Sequence, residues 1–254
     1  MIQKSIFLSS KHNTRELNGT KKSHIVFEFD DSLNYMPYEN VFLSIENAIF
    51  PISFYQINET NNSFYFNSIE YTIEEGNYTV TSLINEIKSK VTNLNITFLS
   101  KTNKLQFDYT TSFTLSGKLL GILGFSNKEH TSNNNSLTSD HVIDLSGNNN
   151  LYISIDEISN QNLSSVDKIK SNVLINIPID VNHSDILMYS NVNKIKTRVH
   201  LLNYKKFTVN ILDENFNYVD FHDKDWYCTL LFESSIDNEL YRKFIYLRTL
   251  LSRL

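Results

Sequence analysis

The sequence is short of the residues that staple, break or bend a chain. It holds one cysteine in 254 residues, so Cys228 has no partner for an intramolecular disulfide. Its place between Trp226 and Phe232 suits a buried, inert thiol. With only three prolines and six glycines, turns fall to Asn, which is roughly one residue in eight. The preference for Asn, Ile, Lys, Tyr and Phe over Ala, Gly, Pro and Arg marks AT-rich coding. No apolar run reaches the ~18 residues of a membrane-spanning helix. The opening MIQKSIFLSSKHN lacks the apolar core of a secretory signal, so none is expected. A net charge of −5 argues against general coating of nucleic acid. There is no internal repeat of the length that builds a solenoid or propeller.

The signatures of chemistry are missing too. There is no Walker loop, and Gly121-x-x-Gly124 is not a dinucleotide fingerprint. His222, Asp223 and Asp225 offer metal-ligating residue types in one cluster, but consecutive polar residues in a β turn are ordinarily solvated. Asp213-x-Asn215-x-Asn217 starts like a calcium loop. Tyr218 then stands where that loop needs Gly, and Lys224 where it needs a bidentate Glu, so the stretch reads as an Asx-type turn. No Ser, His and acid are placed into a triad. No catalytic, cofactor-binding or metal-binding residue is assigned, no cofactor is implied, and an enzyme is not expected.

What the chain does have is alternation and aromatics, with 17 Phe and 14 Tyr to fill a core. Ile25, Phe27 and Phe29 read as the first firm strand, with a turn at Asp30–Asn34. Val41 to Phe50 reads as a long second strand that Pro51 ends. Phe54, Tyr55 and Ile57 are expected to form a hairpin with Phe64–Phe66. Thr79 is a suitable N-cap for a helix whose apolar face is Val80, Leu83, Ile84, Ile87 and Val91. Ile96–Leu99 and Leu105–Tyr109 read as a hairpin. Ser116 is expected to cap a short helix that ends at Gly124-Phe125. Strands follow at Leu151–Ile155, Val173–Ile177, Asp185–Tyr189 and Val199–Leu202. Phe207–Leu212, Tyr218–Phe221 and Trp226–Phe232 close the series. About ten strands and one firm helix suit two packed sheets.

Residues 1–22 read as a polar arm or leading edge, and 126–150 and 156–171 as long polar loops. In the tail from Leu240, the residues Leu240, Phe244, Leu247 and Leu251 are spaced i, i+4, i+7, i+11. That stretch is either an amphipathic helix docked on its own domain or on a partner, or a final strand.

Three stretches, in order, carry a resemblance. One is the long strand, Pro51, Phe54-Tyr55-x-Ile57-Asn58, turn and Phe64-x-Phe66. Another is Glu75-Gly76-Asn77-Tyr78, helix, two strands and Leu123-Gly124-Phe125. The last runs from Phe207 through Asp213-Glu214-Asn215-x-Asn217 and Asp225-Trp226 to Phe232-Glu233. Together they resemble the penton or minor capsid proteins of virophages and Polinton-like double-stranded DNA viruses.

The resemblance implies a mostly-β, jelly-roll antiparallel sandwich over 1–235 with a helix-containing insertion or side module at about 70–125, and a basic amphipathic tail over 236–254. It implies a virion protein that forms a homopentamer at each icosahedral vertex, against a separate double-jelly-roll major capsid protein. The N-terminal arm and the tail are then candidates to grip neighbours. A facet-cementing minor capsid protein, or a receptor- or carbohydrate-binding spike or fibre head, is the alternative.

Overall fold

The computed structural model describes residues 2–158, 162–163, 170–199 and 203–251. Contacts divide the chain into two compact units, Met1–Phe54 with Asn148–Leu254, and Tyr55–Gly147. The first unit opens with β1 (Ile2–Ser9), β2 (Arg15–Glu16), β3 (His24–Asn34) and β4 (Glu39–Pro51). The second holds β5 (Ser63–Phe66), β6 (Ile69–Thr72), α1 (Val80–Lys90), β7 (Asn95–Leu99), β8 (Lys104–Asp108), β9 (Thr114–Ser116), β10 (His130–Thr131) and β11 (Ser136–Thr138). The first unit resumes with β12 (Asn150–Ile155), β13 (Asn162–Leu163), β14 (Lys170–Ser171), β15 (Val173–Pro178), β16 (Ile186–Ser190), β17 (Thr197–Val199), β18 (Asn203–Leu212), β19 (Tyr227–Ile236) and α2 (Asn238–Leu251).

The strand order of the first unit defines its class. One sheet runs β1-β19-β4-β16, with β17 also paired to β4, and the other runs β15-β12-β18-β3-β2. The antiparallel pairs β1–β19, β3–β18, β4–β16 and β12–β15 nest one inside the next along the chain. The chain is therefore doubled into one long hairpin whose tip is the β12–β15 connection. Rolling that hairpin brings β19 beside β4 and β18 beside β12. This is a jelly roll of two antiparallel sheets.

Alternation puts one face of each sheet into a shared core. Leu43, Phe50, Leu230 and Phe232 come from one sheet and Ile25, Ile153, Phe207 and Val209 from the other. Trp226 is fully buried between them, edge-on to Phe27 and tilted against Phe50, with ring centroids 6.1 and 6.0 Å away. Its indole Nε1 donates to the Lys22 carbonyl at 2.6 Å.

Several sequence expectations are corrected. Of the arm or leading edge read over 1–22, residues 2–9 are the edge and not an arm. They are an edge strand paired with β19 from Ile2 to Ser9. Its polar residues Gln3 and Ser5 hide the alternation because they face outward at an edge. Asp30–Asn34 is not a turn: β3 continues through Asn34, with a register shift in its pairing near Tyr204. Phe54–Ile57 forms no hairpin with β5, which pairs with β6 instead, while Ile57 bridges Gly76. Tyr218–Phe221 contributes only an isolated bridge from Tyr218 to Leu212. Val199 belongs to β17, whereas 200–202 lie outside the described residues.

The second unit has its own core, with Phe64, Phe66, Leu83, Ile87, Leu105, Phe107 and Phe113 at its centre. It extends beyond 70–125 at both ends, because Gln56 Nε2 donates to the Leu145 carbonyl and draws its two ends together. Thr79 caps α1 in a reciprocal capping box with Ser82. Ser116 caps nothing: it ends β9, and a 3-10 turn over Lys118–Gly121 follows Gly117. The run 126–150 is loop only in part: β10 pairs with β9 and β11 with β8, while 139–149 carry no strand or helix. Of 156–171, residues 159–161 and 164–169 lie outside the described residues, and β13 and β14 pair with one another.

Gly124 is one position where the backbone demands glycine. Its φ is +82°, and an added Cβ would stand 2.5 Å from the His141 carbonyl oxygen and 2.7 Å from that of Val142. Gly124→Ala is expected to destabilise the second unit by about 1–3 kcal/mol, as overpacking does. A denaturation midpoint equal to the parent's would contradict this.

Candidate assembly surfaces

The residues singled out as possible chemistry serve the fold. Asp213 Oδ1 accepts from the backbone N–H groups of Asn215 and Asn217, both at 2.8 Å, which is the expected Asx-type turn. His222 Nδ1 lies 3.0 Å from the Ser53 carbonyl. Asp223 and Asp225 both hold Lys22, at 2.9 and 2.8 Å. Burial pulls the Lys22 ammonium down, and its bonds to Asp225 and Asp223 more than offset that, so it titrates above the ordinary lysine range. Among the described residues no group of three or more His, Cys, Asp or Glu is placed to hold a metal. Cys228 is buried in β19, and burial pushes its thiol up to about 12.

Asp225 also accepts from Ser10 Oγ at 2.9 Å, so the residue that follows β1, Lys22 and the approach to β19 meet at one carboxylate. Its pKa is lowered, chiefly by the bond from Lys22. A carboxylate depressed in the folded state stabilises above its unfolded value of about 4, and the gain is lost as pH falls through the folded value. Asp225→Asn is therefore expected to lower stability at neutral pH and to flatten the acid limb of the stability profile below about pH 4. Parallel profiles for variant and parent would rule this out.

One cluster went unnoticed in the sequence. Ser126, His130 and Asp140 come together, but in the wrong order for nucleophilic catalysis. Ser126 Oγ donates to Asp140 Oδ2 at 2.8 Å. His130 Nε2 lies 3.0 Å from the Ser126 carbonyl and 3.2 Å from Ser126 Oγ; because a carbonyl can only accept and Oγ already donates to Asp140, the geometry suits Nε2 as a donor and not as a base toward that hydroxyl. Asp140 is held below the usual carboxylate range, first by the Ser126 backbone N–H. The trio ties a loop.

Among the described residues two apolar surfaces stand out as uncovered. The outer face of the β1-β19-β4-β16 sheet carries Phe7, Tyr227, Ile49, Met188 and Ile186, with Phe7 79% and Met188 74% exposed. Register places them together: Tyr227 is opposite Ile49, Ile49 opposite Met188, and Phe7 opposite Thr229 next along β19. The other surface is α2. Asp237 starts it by accepting from the N–H groups of Glu239 and Leu240. Tyr241 and Phe244 pack on Tyr38, with centroids 5.0 and 5.3 Å away. Beyond them the helix stands clear, and Leu247 is 58% and Leu251 71% exposed. Through Leu251 the tail is thus helical, not a final strand.

The fold and these surfaces define a jelly-roll sandwich that carries an inserted α/β unit between β4 and β12. No protein-family model matches the chain. No curated protein matches it in sequence. Solved structures do match. One is the crystal structure of the selenomethionine-labelled mavirus penton protein, which is 11% identical over an alignment covering 92% of this chain and all of that one, at a TM-score of 0.52. At that identity the likeness establishes the shared fold.

Proposed function

We propose that this chain is a structural capsid protein, the penton subunit that closes the five-fold vertices of an icosahedral virion. The observation that carries the reading is the coverage of the structural match. The alignment covers all of the mavirus penton chain and 92% of this one, so it takes in residues of both units. In this reading the first unit is the capsid body and the second its insertion. The body contacts five-fold neighbours and a major capsid protein.

The surfaces support it. The described side chains that join across the chain do so to brace strands, as Lys22, Asp225 and Ser10 do. The large uncovered features are apolar faces of the kind that subunit contacts bury. A shell subunit works by shape and contact, and needs no reacting group.

The test is a reconstruction of particles assembled with and without the chain. Density at the five-fold vertices that appears only in its presence is the expected result. Density on the facets instead would make it a cementing protein. Absence from the particle would end the capsid reading.

A further inference from the structure

We propose that α2 is an arm that docks on the outer sheet face of a second copy of this chain, across Phe7, Tyr227, Ile49 and Met188, so that the contact between copies runs head to tail. The inference rests on the ring-forming reading above and names the surfaces that make the ring.

The arm needs a cover. A helix of 14 residues is marginal in water on its own. Here it has Tyr38 against its first turns, while Leu247 and Leu251 are more than half exposed. Leu240, Phe244, Leu247 and Leu251 form one stripe along it, all exposed.

The chain's own apolar face is out of reach. α2 leaves the sheet at the Ile236 end of β19, beside Glu39, while the face lies at the Tyr227 end, beside Ile49. Ten residues of β19 separate the two by roughly 30 Å, at about 3.4 Å per residue. The helix spans only about 21 Å, at 1.5 Å per residue, and Tyr38 holds its base at the far end. Donor and acceptor on opposite ends of one sheet cannot pair within a copy, and they are not self-complementary. Contacts of this kind build rings or filaments.

Size and charge fit the same occupant. The stripe from Leu240 to Leu251 is about 16 Å long. The acceptor crosses β1, β19, β4 and β16, about 14 Å at the usual strand spacing. Arg242, Lys243, Arg248 and Arg253 against Glu239 give the last 17 residues a net charge of +3. The whole chain carries −5, so the rest of it carries −8. Glu46 and Asp185 flank the acceptor face, and both are exposed. A basic arm seated on the acidic body of a neighbour is electrostatically favoured.

The test uses full-length variants at exposed positions, which leave the core intact. Leu247→Asp with Leu251→Asp disables the arm. Phe7→Asp with Met188→Asp disables the acceptor. Emission from Trp226, the one tryptophan, reports that each variant is folded. Each is expected to self-associate at least about thirtyfold more weakly than the parent, as the loss of an interface anchor does. Mixed together, they should form a one-to-one pair and stop there, because one good arm and one good acceptor remain. If the parent forms a ring and both variants form it equally well, the arm proposal is overturned and the vertex reading stands. If only the arm variant is impaired, the acceptor is misassigned and the proposal also fails. A parent that never self-associates, but whose arm variant loses binding to shells, would assign the arm to another shell protein and overturn it.

Discussion

Trp226→Ala is expected to cost about 3–5 kcal/mol, the usual loss for emptying a large aromatic site in a core. The tryptophan is fully buried where the sheets meet, and it touches Phe27 and Phe50 from opposite sheets. Truncation leaves a void that the paired strands on either side cannot collapse into. It also removes the donor from the Lys22 carbonyl, and Lys22 is the residue that Asp223 and Asp225 hold. The backbone N–H of residue 226 keeps its bond to Ser10 Oγ, so the entry to β19 is expected to survive in the folded fraction. Urea titration followed by far-ultraviolet circular dichroism measures the loss. A cost under about 1 kcal/mol would mean that the indole is not a keystone of the sandwich.

Phe107→Ala is expected to act as strongly, about 3–5 kcal/mol, but on the second unit alone. Phe107 is fully buried in β8 and meets Phe125 edge-on at 5.5 Å. The core it belongs to is separate from the one around Trp226. The variant should therefore lose the second unit while Trp226 emission holds to the parental midpoint. Simultaneous loss of both signals would show that the units unfold as one and that the insertion is not an independent body.

The strands with clean alternation were legible from sequence. Phe207-Val209-Ile211 and Leu151-Ile153-Ile155 put every second residue into the core and are β18 and β12 as expected. The helix from Val80 was equally legible, because cap and apolar spacing agreed. Edge strands were not. β1 packs Leu8 inward but shows solvent Gln3, Lys4 and Ser5, so its pattern is that of a polar arm. Partner choice was also hidden, since β5 had two apolar neighbours in sequence and pairing with β6 depends on a turn at Asn67 and Ser68, both at positive φ. Pairing between sequence-distant strands is set by the rolled hairpin, to which no local signal points. The surface features fared similarly. The spacing of the tail was plain, but the apolar outer face of the sheet is assembled from four strands and exists only once they are in register.

The central claim is a closed ring built from one kind of subunit. Native mass spectrometry of the purified chain across a concentration series measures it most directly. The account predicts a cooperative step from the 29.6 kDa chain to a species of five times that mass, with no accumulation between. A trimer would point to a spike or fibre head and would contradict the vertex assignment, as would an open-ended series of masses.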